Sequence, residues 1–376
     1  MTQEMTSILR REEQITLYLR GLFERFGFRK YRMGKFEDYD LYLENKNFLK
    51  SPHIITFHDL DGHVRALKPD VTLSIAKNTH ATKSSSEKFY YLENVYRLDK
   101  PSGGYREISQ LGLECIGALG LIPTYEVLAL AQKTLAAISE NRRMQLSHMG
   151  FLLSLLDGLG IAPAARASLL ECIRGKNIHE LKQQAESAGI TPAAAGLLIT
   201  AADLCGDFRE TLARARTIAI TQAMTDALDE LSSVYALLEA AGEAGNLVLD
   251  FSLVNDIDYY DGVVFQGYVE GVPRAVLTGG YYGNLMKKFG RDLDAIGFAV
   301  YLNELNLLFR NQQRTDADAV ILYDDSADLT ALVKAADALT SSGVRVRLEK
   351  NIPADLRFTT LYRFENGMLQ EVTRNA

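Results

Sequence analysis

The stretch Lys88–Gly117, KFYYLENVYRLDKPSGGYREISQLGLECIG, constrains the fold more than any other. Phe89, Tyr90, Leu92, Val95 and Tyr96 make its first arm apolar and aromatic. Lys100-Pro101-Ser102-Gly103-Gly104 is a turn cluster, and the arm from Ile108 to Ile116 alternates polar and apolar residues. The pattern predicts two strands joined by a loop. Arg97, Gln110 and Glu114 stand inside those strands, and residues i and i+4 of a strand share a face. A guanidinium, an amide and a carboxylate converging on one hairpin surface suit a zwitterion such as an amino acid. A solvated salt-bridge face explains the same pattern equally well.

The rest of the chain supplies the layers around this hairpin. Apolar residues at Ile8, Ile15, Leu19, Leu22, Phe23 and Phe26 follow a helical period that Gly27 closes. Asp38–Leu49 reads as irregular, and Ile54–Leu67 as a hairpin turning at Asp61-Gly62. Lys68-Pro69-Asp70 leads into a short helix through Lys77, which Asp70 or Thr72 could cap. Thr124–Ile138 reads as helix. Residues 147–244 are rich in Ala and Leu, with few β-branched runs. Strands are expected again in NLVLDFSLV, YYDGVVFQGYV and RAVLTGG, then a tight glycine turn at 279–283 and an amphipathic helix from Ala295 to Arg310. Asn311-Gln312-Gln313-Arg314 reads as a linker to a small α/β unit with strands at 316–323, 344–348 and 359–364 and a helix at 328–341. The fold class is therefore α+β, an antiparallel sheet with flanking helices. The expected domains are a core of residues 1–120 and 245–310, a mostly helical insertion of 121–244, and a C-terminal remnant of 315–376.

Composition narrows the function. A formal charge of −7 over 376 residues argues against a protein that coats nucleic acid. No apolar run approaches the ~20 residues that span a bilayer, and no signal-peptide pattern opens the chain. Cys115, Cys172 and Cys205 lie far apart without metal spacing and read as reduced thiols of a cytoplasmic protein. His53, His58 and His63 have no carboxylate at ligand spacing, so no metal site and no cofactor are expected.

Five segments, in order, resemble the catalytic core of class II aminoacyl-tRNA synthetases, and histidyl-tRNA synthetase in particular. YRLDKPSGGYREISQLGLECIG is similar to the second class motif, LKPDVT to the amino-acid-binding RPEGT segment, and DIDYYDGVVF to the histidine-specific LDYY segment. TGGYYGNL resembles the GGRYDGL turn, and DAIGFAVYLNEL matches the third class motif in position. The resemblance covers roughly residues 8–310. It implies a histidine pocket in which Asp70, Thr72 and Gln110 hold the α-amino group and Glu114 and Tyr260 hydrogen-bond the imidazole. Tyr259 and Tyr282 adjoin them, and Arg97 serves the carboxylate or orders the pocket.

Other family positions have changed. The third-motif arginine that holds the ATP phosphates is replaced by Glu304, the catalytic arginine by Asn255, and the arginine of the glycine turn by Tyr281. A carboxylate facing a triphosphate repels it, and asparagine cannot offset the charge of a carboxylate and an α-phosphate. Arg106 remains where a phosphate-contacting arginine would be. The C-terminal unit is shorter than the family's anticodon-binding domain. A retained amino-acid pocket with lost ATP chemistry resembles the synthetase-like regulatory subunits of ATP phosphoribosyltransferase. Membership there implies several things: no catalysis by this chain, L-histidine as effector, and pairing with the short-form catalytic subunit in a hetero-octamer. It also implies a homodimer through the core near Gly27–Asp38, no tRNA and no membrane. The competing readings are an active histidyl-tRNA synthetase, a related ATP-dependent ligase, and a scaffold that binds no histidine.

Overall fold

The computed structural model describes residues 9–49, 53–99, 103–254, 259–309 and 315–374. It divides into two compact units, Arg11–Leu308 and a smaller one whose described elements lie between 315 and 374.

The larger unit is built on a nine-stranded sheet. Its strands are β1 (Arg29–Lys30), β5 (Glu87–Asp99), β6 (Gly104–Gly117), β7 (Arg142–His148), β8 (Cys205–Asp207), β9 (Leu247–Asp250), β10 (Val263–Val269), β11 (Leu277–Tyr281) and β12 (Asp294–Tyr301). They lie in the order β1-β5-β6-β12-β11-β10-β7-β9-β8, parallel only at β1–β5 and β7–β9. A separate three-stranded sheet joins β2 (Phe36–Asp38), β4 (Val64–Leu67) and β3 (Thr56–His58). The Asp59 carboxylate shapes the turn between β3 and β4 by accepting from the amides of Asp61 and His63. Gly62 there has φ +82°, open to glycine without steric cost.

The helices of this unit are α1 (Arg11–Arg25), α2 (Tyr39–Glu44), α3 (Thr72–Asn78), α4 (Leu121–Ile138), α5 (Met149–Gly158), α6 (Pro163–Arg174), α7 (Ile178–Ser187), α8 (Pro192–Asp203), α9 (Phe208–Arg216), α10 (Gln222–Ala240), α11 (Gly283–Lys288) and α12 (Leu302–Phe309). Ile15, Leu19, Leu22 and Phe23 are the buried stripe of α1. Phe23 sets its ring against Tyr90 and edge-on to Phe298, 5.9 Å away. Leu113 pairs with both of those residues in register, so α1 covers this face of β5, β6 and β12. The opposite face carries Tyr91, Arg97, Gln110 and Glu114. Residues 121–244 are mostly helical, and they also carry β7, which pairs along its whole length with β10 inside the sheet. No described helix is long and apolar enough to cross a membrane.

Three local expectations are corrected. Ala295–Tyr301 is a strand, not the start of a helix, and only Leu302–Phe309 is helical. Periodicity cannot tell a short, continuous apolar run from a buried helix; here the run lies between β6 and β11, hydrogen-bonded on both edges. Gly279 and Gly280 lie in β11 rather than in a turn. A Cβ on Gly279 would meet the Gly297 carbonyl at 2.4 Å, and one on Gly280 the Tyr260 ring at 2.6 Å. Within Asp38–Leu49, α2 and a 3-10 turn (Lys46–Phe48) replace the irregular segment. Lys100–Ser102 and Asn311–Arg314 lie outside the described residues.

The C-terminal unit is a four-stranded sheet with one helix. Strands β13 (Ala317–Leu322), β14 (Val346–Glu349), β15 (Phe358–Glu365) and β16 (Met368–Arg374) lie in the order β14-β13-β15-β16. Helix α13 (Leu329–Ser341) is capped by Asp328, whose carboxylate accepts from the amides of Thr330 and Ala331. Leu332 and Ala336 of α13 pack on Ile321 and Phe364. β16, which the sequence pattern did not single out, pairs antiparallel with β15.

Glycine positions of this unit tolerate a side chain unequally. Gly297→Ala places a Cβ 1.8 Å from a Glu114 oxygen and 2.4 Å from the Leu113 carbonyl. It should destabilise the unit by about 1–3 kcal/mol, the usual cost of overpacking. Gly196→Ala, in the exposed part of α8 with nothing within 4 Å, should stabilise by up to about 1 kcal/mol. Denaturant unfolding of both variants checks this; equal effects would show that the glycine row is not under steric constraint.

Candidate functional site

Strand register places the site residues in rows across the sheet. Tyr91 is opposite Gly112, Phe89 opposite Glu114, Glu93 opposite Gln110 and Arg97 opposite Arg106. On the next strand Glu114 faces Gly297, Gly112 faces Ala299, and Gln110 faces Tyr301. Gly297 in turn faces Gly280, and Ala299 faces Thr278, which faces Gln266. The period of two therefore brings the polar set of β5 and β6 to one surface. Glycines at 112, 280 and 297 leave room above the sheet for Tyr91, Tyr260 and Glu114 respectively.

A cavity of about 280 Å³ lies over this floor. Asp70, Thr72, Arg97, Gln110, Glu114, Tyr259, Tyr260 and Tyr282 all line it. Asp70 and Thr72 come from the start of α3, the two adjacent tyrosines from the approach to β10, and Tyr282 from the junction of β11 and α11. Their rings form one aromatic wall: Tyr259 lies 4.5 Å from Tyr260 and 5.5 Å from Tyr282, centroid to centroid. Phe48, Tyr91, Gln266, Thr278 and Tyr301 also line it and were not singled out from the sequence. Tyr91 shares the two-residue period of Arg97, and Gln266 is a lone amide in the apolar run VVFQGYV; both were available signals. Tyr301 was hidden by the helix expected over it.

Hydrogen bonds tie the charged groups into two sets. Arg97 donates through Nε to the Pro69 carbonyl at 2.7 Å and through Nη2 to Asp70 at 3.3 Å. The other Asp70 oxygen accepts from the Leu73 amide at 3.0 Å, so Asp70 also holds the first turn of α3. Glu114, 2 % exposed, accepts from the Thr72 hydroxyl at 2.7 Å and from the Tyr282 hydroxyl. Burial pushes the Glu114 carboxyl up to about 8; the nearby negative charge of Asp70 adds to the rise, and the two hydroxyl donors oppose it. Burial first, with the nearby carboxylates, raises the phenols of Tyr91, Tyr259, Tyr260 and Tyr282 well above the ordinary tyrosine value, so they stay neutral. The cavity thus offers a carboxylate held by an arginine, a second buried carboxyl, an amide and an aromatic wall. That inventory suits a small ligand carrying an ammonium and a further N–H donor.

The changed synthetase positions lie elsewhere. Asn255 is outside the described residues. Tyr281 lies against Gly262, hydrogen-bonds Asp294 and does not line the 280 Å³ cavity. Glu304 lines a second cavity of about 270 Å³ and stands 3.8 Å from Arg274. Arg106 lines the same cavity, 3.8 Å from Asp99. Among the described residues no cluster of three or more His, Cys, Asp or Glu is placed to hold a metal ion.

Comparison with known proteins places this architecture. The family model described as histidyl-tRNA synthetase matches residues 6–305. The ATP phosphoribosyltransferase regulatory subunit of Moorella thermoacetica is 31% identical over 341 residues, which cover 89% of this chain and 87% of that protein. The crystal structure of an ATP phosphoribosyltransferase regulatory subunit/histidyl-tRNA synthetase from Bacillus halodurans C superposes with a TM-score of 0.74 at 24% identity, over 90% of this chain and 88% of that one. A chain of the ATP phosphoribosyl transferase complex from Thermotoga maritima shares the fold at a TM-score of 0.61 and 18% identity, over 77% of this chain and 97% of that one. The chain is a member of the histidyl-tRNA synthetase-like family to which the regulatory subunits of ATP phosphoribosyltransferase belong.

Proposed function

We propose that this chain is a non-catalytic regulatory subunit of ATP phosphoribosyltransferase, the first enzyme of L-histidine biosynthesis. In this reading it binds L-histidine in the 280 Å³ cavity, is required for activity of the short-form catalytic subunit, and confers feedback inhibition on the hetero-octameric complex. The observation that carries the reading is the contrast between the two cavities. One gathers Asp70, Thr72, Gln110, Glu114 and the tyrosine wall around a space of amino-acid size. In the other, a glutamate occupies the place of the family's phosphate-clamping arginine, and Arg106 is matched by Asp99. Asp70 and Gln110 would take the ammonium, Glu114 and Tyr260 the imidazole, and Arg97 would order Asp70 and face the carboxylate. Homodimerisation through the core belongs to the same proposal. A regulatory role follows if histidine binds one state of the complex more tightly than another, and that coupling is reciprocal.

Three outcomes test it. Glu114→Gln keeps the shape and removes the charge, so L-histidine should bind about 10- to 100-fold more weakly, the worth of a hydrogen bond to a charged group. Inhibition of the complex should shift to higher histidine by a similar factor; undiminished inhibition would show that this is the wrong pocket.

The pH dependence has a definite sign. Glu114 holds its proton below about 8, and an imidazole N–H donated to it favours the ionised form, the stronger acceptor. Binding therefore expels a proton, and wild-type affinity should rise between pH 6.5 and 8, by at most about tenfold per unit. Glu114→Gln has no carboxyl proton to release and should lose this dependence, leaving only the titration of the ligand's own imidazole at about 6.5. Calorimetry in buffers of different ionisation heat counts the proton directly.

Mg-ATP should give neither binding heat nor histidine-dependent pyrophosphate exchange. Exchange would restore the synthetase reading.

A further inference from the structure

The two cavities share two lining residues, Arg97 and Tyr301. Tyr301 is the last residue of β12 and faces Gln110 across the strand pair. Its amide donates to the Val276 carbonyl at 2.9 Å, and its hydroxyl shares a 2.8 Å hydrogen bond with Thr278 in the floor of the first cavity. The ring is thereby held at both ends, by its own backbone and by its hydroxyl. Arg97 is fixed beside it by Pro69 and Asp70. Beyond them lie the Arg106–Asp99 and Arg274–Glu304 pairs of the second cavity.

We infer that Tyr301 is a specificity-determining residue that closes the pocket behind the carboxylate end of the ligand, so that the site takes a free amino acid and rejects one extended at its carboxyl group. The inference rests on the amino-acid reading above. A ligand whose carboxylate faces Arg97 has its carboxyl end at the partition. An added peptide-linked residue must pass between Arg97 and Tyr301 into the second cavity, and the hydrogen-bonded ring stands in that path. Truncating the ring joins two spaces of about 280 and 270 Å³ without touching Asp70, Thr72 or Glu114.

Calorimetric titration of the purified full chain with L-histidine, L-histidinamide and L-histidyl-glycine tests this. Histidinamide loses the carboxylate charge without gaining length, so it separates the loss of the Arg97 contact from steric exclusion. Wild type should bind histidyl-glycine at least tenfold more weakly than histidinamide. Tyr301→Phe keeps the ring but loses its hydrogen bond to Thr278, and should give a ratio between those of wild type and Tyr301→Ala. Tyr301→Ala should raise the affinity for histidyl-glycine at least tenfold relative to histidinamide. Wild type binding the two equally, or Tyr301→Ala leaving the ratio unchanged, would overturn the inference. The wild-type ratio stands as a test even where Tyr301→Ala fails to fold. Absence of L-histidine binding by wild type would remove the amino-acid reading and this inference with it; L-histidine bound alongside histidyl-glycine at equal strength to histidinamide would remove the partition alone.

Discussion

The Glu114 carboxyl group, lying over Gly297, is the contact on which the site depends. A buried carboxylate is costly unless it is hydrogen-bonded or paired. Here the compensation is partial: two hydroxyls donate to it, while Asp70 is matched by Arg97. The result is a group that holds its proton to about 8 in the empty pocket. Its position requires a strand neighbour without a side chain, and Gly297 supplies that. The same device recurs at Gly112 under Tyr91 and at Gly280 under Tyr260. Glycine weakens a strand interior, so the sheet gives up some local stability to make a floor into which functional side chains fit.

Much of this floor was legible before the structure. The two-residue period put Gln110 and Glu114 on one face, and the turn cluster after Asp99 brought Arg97 to the same surface. The LKPDVT, DIDYYDGVVF and TGGYYGNL segments supplied the remaining walls through resemblance to a family. What escaped had physical reasons. Ala295–Tyr301 is apolar throughout because a central strand is buried on both faces, and such a run looks the same as a buried helix. That error concealed Tyr301. Gly279 and Gly280 resemble a turn in sequence, and only their neighbours across the strands show that the missing side chains make room for Gly297, Phe298 and Tyr260. Thr278 belongs to the site through its register with Ala299 and Gly112 on the neighbouring strands, which no local pattern encodes.

The two cavities make the case that function belongs to sites rather than folds. The sheet belongs to a chain of the histidyl-tRNA synthetase family, and in the proposed reading its first cavity serves as the amino-acid end, with Asp70, Gln110 and Glu114 as donors and acceptors. At the other end the charges are arranged in opposed pairs, Arg106 with Asp99 and Arg274 with Glu304. An arginine already matched by a carboxylate has less to offer a triphosphate, because the incoming anion must compete with the resident one. In the proposed reading, one scaffold carries a binding chemistry without the charge clamp that phosphoryl chemistry needs.

The wiring of Glu114 also bears on how occupancy would be felt. Its two oxygens are held by Thr72, at the start of α3, and by Tyr282, at the junction of β11 and α11. A ligand that takes Glu114 as its acceptor must share or displace those hydroxyls. The first groups to respond are then the opening turn of α3, which Asp70 also holds through the Leu73 amide, and the aromatic wall of Tyr259, Tyr260 and Tyr282. A ligand shifts an equilibrium only by its differential affinity for the two states. In the proposed reading that difference is generated most directly at Glu114, where a proton, two hydroxyl groups and the ligand's N–H compete for one carboxyl group.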